Sequence, residues 1–109
     1  MISISRINKA YILSFPDTSR FDIVLSKELE EQINQFTENG SCRIVLNLKG
    51  IHFIDSKGFA MLVRVAKMAE EKKYSFEICN VSEEVKELIN IMDFNDVLKV
   101  FSERLVAPY

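Results

Sequence analysis

The residues of this chain best suited to chemistry are the adjacent Asp55 and Ser56, in the middle of segment 53–59 (FIDSKGF). An apolar run ends there and a helical pattern begins, which places Ser56 at or beside a helix N-terminus. Backbone N–H groups are unpaired at such a position, and the helix dipole favours negative charge. The serine can therefore be a plain helix cap, or it can be a place for a phosphate group.

Other chemistries fit this segment less well. A hydrolase nucleophile elbow needs glycine two residues before the serine, where this chain has Ile54. His52 is the one histidine that could act as a base, and we expect its segment to direct it elsewhere. A phosphate-cradling loop needs several glycines or a Gly-Lys-Ser/Thr ending, and the segment has neither. We therefore predict that the protein is not an enzyme.

Composition and charge exclude further classes of protein. The 109 residues have the length of one domain, and we expect residues 1–109 to form it. With a net charge of −2, the chain has no excess of basic residues that would bind the phosphates of a nucleic acid. No apolar run approaches the roughly 20 residues that span a bilayer, and the N-terminus does not resemble a signal peptide. We expect a cytoplasmic protein without membrane insertion.

The cysteines give no metal site. Cys42 and Cys79 form no C-x-x-C pair, and a single histidine accompanies them. We predict two small apolar residues on or beside strands, and neither a metal nor a cofactor.

The elements before segment 53–59 follow from the hydrophobic pattern. Strands at about 2–7 and 10–15 flank a turn at 8–9, which predicts an antiparallel hairpin. Residues 21–24 read as a short extended piece. A first helix should begin at an N-cap Ser26 and stop at the Asn-Gly pair after it.

The elements around and after the segment alternate between strand and helix. The apolar strand 43–48 should be central in a sheet, and 51–54 should lead into a helix over 57–72. A strand at 74–79 and a helix capped by Ser82 follow. We predict an α/β fold: a mixed four- to five-stranded sheet, an antiparallel N-terminal hairpin, and helices mainly on one face.

The whole chain resembles a STAS domain, the family of bacterial anti-sigma factor antagonists. The strand-and-link segment 44–51 (IVLNLKGI) and the segment 53–59 carry the resemblance, supported by FDI at 21–23 and VSEEV at 81–85. Family members show a hydrophobic strand, a short link, and Asp-Ser-[Ser/Thr]-Gly-[Leu/Ile] opening a helix. Here Lys57 replaces the second hydroxyl residue, and could either stabilise a phosphoserine or pair with Asp55.

The resemblance implies a phosphorylation cycle at Ser56. The partner would be an anti-sigma factor that is also a serine kinase of the histidine-kinase-like ATPase type. It would bind the unphosphorylated chain, release it after phosphorylating Ser56, and bind again once a serine phosphatase has acted. The predicted partner-binding residues share the exposed side of the helix start and the neighbouring loop: Asp22, Asp55, Ser56, Lys57, Ala60, Met61, Arg64 and Met68.

Three alternatives stay open at this point. Met61 and Met68 would instead be core residues if the buried stripe of the helix is wider than predicted. The chain would instead be a STAS scaffold without phosphorylation, in a lipid-transport or stress-signalling complex. A small enzyme or ligand-binding domain using Asp55 and Ser56 is the third alternative.

Overall fold

The computed structural model describes residues 2–38 and 42–91, and every structural statement below refers to them. Their elements are, in order, β1 (Ser3–Ile7), β2 (Ala10–Ser14), β3 (Arg20–Phe21), α1 (Ile23–Phe36), β4 (Arg43–Asn47), β5 (Phe53–Ile54), α2 (Ser56–Lys72), β6 (Ser75–Cys79) and α3 (Glu83–Ile91). The stop predicted at the Asn-Gly pair lies outside the described residues, and so does the short apolar segment 97–101 near the C-terminus.

The main sheet has four strands in the order β1-β2-β4-β6. β1 and β2 are antiparallel, and the turn between them has Asn8 in the left-handed region at φ 56°. β2–β4 and β4–β6 are parallel pairs, so β4 is an interior strand. The predicted hairpin, the mixed sheet and the α/β class are confirmed.

The two faces of this sheet are buried differently. Strand residues such as Leu13, Leu46 and Phe76 form one core cluster with Leu29 of α1 and Leu62 of α2. Ile12, Val45 and Cys79 form a separate buried cluster. Because side chains alternate along a strand, the second cluster lies on the opposite face. α1 and α2 therefore cover one face, as predicted.

β3 and β5 form a separate two-stranded parallel sheet, which the sequence did not indicate.

The structure also corrects the start of α1. Asp22 is the N-cap, and its side chain accepts a hydrogen bond from the Leu25 N–H at 3.0 Å. Ser26 is buried inside the helix, where its hydroxyl donates to the Ile23 carbonyl at 3.0 Å. The prediction of Ser26 as the N-cap was wrong because the β-branched residues before it read as a strand.

Candidate functional site

The small parallel sheet brings two helix starts together. β3 runs into α1 and β5 runs into α2, with Phe21 paired to Ile54. The Asp55 N–H donates to the Phe21 carbonyl at 3.2 Å, and the His52 N–H donates to the Ser19 carbonyl at 2.8 Å. The N-termini of α1 and α2 therefore open side by side.

An aspartate caps each of these helices. Asp55 has extended backbone dihedrals, and its Oδ1 accepts from the Gly58 N–H at 2.8 Å. Asp22 holds the first turn of α1 in the same way. Both aspartates are half-buried. Each carboxylate thus satisfies one backbone donor that the helix itself leaves unpaired, which is the ordinary work of an N-cap.

Ser56 is the first residue of α2, and its side chain is exposed. Since Asp55 provides the cap, the Ser56 hydroxyl is not needed for it. Among the described residues, no hydrogen bond is assigned to that hydroxyl. Lys57 is also exposed and forms no salt bridge with a described carboxylate, Asp55 included. The site thus presents an accessible hydroxyl beside a cation.

The other predicted partner-binding residues lie further along α2. Met61 is fully buried, so the prediction of Met61 as a surface residue was wrong. Met68 is half-buried and packs against the core, and Ala60 is half-buried. α2 packs against both β6 and α1, which widens its buried stripe beyond the side that faces the sheet.

Arg64 is exposed but engaged. Its guanidinium makes two hydrogen bonds to Glu30 of α1, Nε to Oε2 and Nη2 to Oε1, both at 3.0 Å. The hydrogen bond to Glu30 raises the pKa of Arg64. Arg64 therefore joins α2 to α1, and a partner contact would use the remaining surface of this ion pair.

Two apolar residues beside the site were missed from the sequence. Ile23 and Val24 open α1 directly after Asp22, and 42% and 72% of their respective surfaces are exposed. The sequence signal for them was Asp22 itself. An N-cap at that position places the next two residues in the first turn, where they are not required to face the core.

The groups that other chemistries need are occupied or buried. His52 Nδ1 lies 2.5 Å from Glu84 Oε2 of α3, so this ring nitrogen is paired away from Ser56. Cys79 is fully buried, and burial raises the pKa of the Cys42 thiol, which disfavours the nucleophilic thiolate. Within residues 2–38 and 42–91, no group of three or more metal-ligating side chains could hold a metal ion. None of the helices described there is long and apolar enough to cross a membrane.

Comparisons with known proteins identify the family and the fold of this chain. The family model for the STAS domain matches residues 3–105. The anti-sigma-B factor antagonist of Staphylococcus aureus is 27% identical over 79 residues, covering 72% of this chain and 73% of that protein. An anti-sigma-factor antagonist (STAS) domain protein from Planctomyces limnophilus matches with a TM-score of 0.77 at 18% identity, covering 97% of this chain and 88% of that one.

The Bacillus cell fate determinant SpoIIAA in its phosphorylated form matches with a TM-score of 0.69 at 11% identity, covering 100% of this chain and 92% of that one. At these identities the two solved structures show the fold alone. The family model carries the assignment, because it spans nearly the whole sequence. This chain belongs to the STAS domain family.

Proposed function

We propose that this protein is an anti-sigma factor antagonist, a binding module and not an enzyme, whose affinity for its partner is switched by phosphorylation of Ser56. The observation that carries the proposal is the exposed Ser56 hydroxyl, left free of the capping role by Asp55. The names of its relatives support the antagonist role. The partner is an anti-sigma factor with serine kinase activity, and a serine phosphatase resets the switch in the cytoplasm.

The binding surface combines the two helix starts. Ser56 and Lys57 supply the polar part, and the exposed Ile23 and Val24 supply an apolar part beside Asp22. An apolar centre with a charged rim is the usual composition of a protein interface. Asp55, Ala60, Arg64 and Met68 border this surface, whereas Met61 is excluded by its burial.

The switch acts through charge. A phosphate on Ser56 adds nearly two negative charges at a helix N-terminus, where the dipole and the free N–H groups tolerate them. A partner surface that is complementary to the unphosphorylated site is no longer complementary to the phosphorylated one. Binding of the phosphorylated protein then carries the cost of desolvating the phosphate and of like-charge repulsion. A loss of about 4 kcal/mol turns micromolar binding into millimolar binding.

Phosphorylation assays with candidate serine kinases of the histidine-kinase-like ATPase type from the same organism test the proposal. With ATP, the mass should rise by that of one phosphate, Ser56→Ala should prevent the increase, and modified protein should no longer bind the kinase. Ser19→Ala is the matched control: it also removes an exposed hydroxyl beside the site, and phosphorylation should be unchanged. Partner binding that is equal with and without kinase and ATP would overturn the switch and favour the unphosphorylated scaffold.

A further inference from the structure

β1 is the outermost strand of the main sheet on its side. Among the described residues its one strand partner is β2. All five residues of β1 are exposed, and they include two of the exposed large hydrophobic residues of the molecule, Ile4 at 39% and Ile7 at 55%. Such an edge offers a row of backbone donors and acceptors to another strand.

The turn determines which backbone groups face outward. A two-residue loop joins β1 and β2, so the closing pair Ile7 and Ala10 exchanges hydrogen bonds. Hydrogen-bonded and non-hydrogen-bonded pairs alternate along an antiparallel ladder. Ser5 and Ser3 therefore direct their N–H and C=O groups toward β2, whereas those of Ile4 and Arg6 point away from the sheet.

Within the described residues, β1 lacks the usual protections of an edge strand. It has no proline, and its register with β2 is continuous from Ser3 to Ile7, without a bulge. Its one charged residue is Arg6, whose guanidinium lies over the Tyr11 ring of β2, 5.4 Å from the ring centroid. Because this contact holds the guanidinium over β2, the positive charge is not at the outer edge of β1, where it would oppose pairing with another strand.

We propose that β1 pairs antiparallel with β1 of a second copy of this chain, about a two-fold axis at Ser5. In this register Ile4 lies opposite Arg6 of the second copy, and these are the residues whose backbone groups point outward. Each of the two equivalent pairs exchanges both of its hydrogen bonds. The four-stranded sheets of the two copies then become one continuous sheet.

The strand is self-complementary, which favours a second copy over an unrelated partner. With Ser5 at the centre, all five residues overlap, and no charged residue faces its own equivalent. On one face Ile4 packs on the aliphatic stem of Arg6 of the second copy, and on the other face Ile7 lies opposite Ser3. Two five-residue strands bury less than the roughly 1,200 Å² of a stable interface, so the dimer is weak and depends on concentration.

Sedimentation velocity over a micromolar-to-millimolar series tests the pairing. Wild type should shift from monomer toward dimer as the concentration rises. Ile4→Pro removes an outward N–H without breaking the β1–β2 ladder, and it should abolish the shift. Ile4→Lys, in case the proline variant misfolds, should also abolish it by adding a charge to the edge. Ile91→Lys is the matched control: the same change on an isoleucine that is 77% exposed on α3 should leave dimerisation intact.

Cross-linking tests the register. Ser5→Cys places two thiols opposite each other in a non-hydrogen-bonded pair, where the Cβ atoms of opposite residues come closest, at about 4.5 Å, so that a disulfide can form. With oxidised glutathione, the Ser5→Cys variant should form a covalent dimer faster than the Ser3→Cys variant. It should also do so faster than wild type, whose rate measures the background cross-linking through Cys42 and Cys79. Wild type that stays monomeric throughout, or equal cross-linking through Ser3→Cys, would overturn the proposal. Neither measurement depends on Ser56.

Discussion

Gly58 shows most sharply how single residues shape the site. A Cβ at this position would lie 2.7 Å from Phe21 Cδ1, 2.8 Å from the Phe21 carbonyl oxygen and 2.9 Å from Ile54 Cγ2. That carbonyl also accepts the Asp55 N–H, so the backbone there has little freedom to move. Glycine allows α2 to start against β3 and β5, and thereby keeps the two helix starts together.

Gly58→Ala should therefore destabilise the protein. Alanine is normally favoured over glycine inside a helix by about 1 kcal/mol, so the substitution would raise the free energy of unfolding if space were available. Overpacking against Phe21 and Ile54 should reverse the sign and lower the free energy of unfolding by about 1–3 kcal/mol. Urea denaturation, monitored by circular dichroism, measures this change in the free energy of unfolding. Lys57→Ala, one residue away and exposed, should change stability by less than about 0.5 kcal/mol, and a stabilised Gly58→Ala would contradict the packing.

At the scale of elements, α1 and α2 start in the same way, each from an aspartate that follows a two-residue strand. The cap role and the partner role of Asp55 can be separated by two substitutions. Asp55→Ala removes the acceptor of the Gly58 N–H and should cost about 1 kcal/mol of stability. Asp55→Asn keeps an acceptor oxygen and should cost only a few tenths of a kcal/mol.

Thermal unfolding of both variants, beside kinase-binding titrations, measures the two roles. If the Asp55 charge contributes to recognition, Asp55→Asn should weaken partner binding while unfolding close to wild type. Equal destabilisation by the two substitutions would show that the Oδ1 contact is not the stabilising one. If Asp55→Asn binds the kinase as tightly as wild type, the role of Asp55 is to cap α2 and its charge does not contribute to recognition.

Long periodic elements could be predicted from the sequence, whereas short ones and the depth of burial could not. The hairpin and α2 were found because their hydrophobic periods extend over many residues. β3 has two residues, too few for a period, and the following Ile23 and Val24 favour a strand by type although Asp22 starts a helix there. Met61 was placed on the surface because the contact between α1 and α2 that covers this side of the helix is tertiary.

At the scale of the whole molecule, the proposed switch requires that the fold survive a change from a net charge of −2 to nearly −4. Four features make this possible. Ser56 is exposed, so the phosphate stays hydrated. The start of α2 favours negative charge, and exposed Lys57 is free of described salt bridges and adjacent to it. The core on the helix-covered face does not include the Ser56 side chain.

Phosphorylated protein should therefore keep its fold and change only around the site. In ¹H–¹⁵N NMR spectra, the shift changes should be confined to the first turns of α1 and α2 and to β3 and β5. The melting temperature should move by less than about 5 °C, which corresponds to no more than about 1 kcal/mol for a domain of this size. Ser56→Ala carried through the same kinase treatment is the control and should give an unchanged spectrum. Shift changes spread over β4 and β6, or a larger fall in melting temperature, would mean that phosphorylation acts by disturbing the fold and not by altering the charge of one surface.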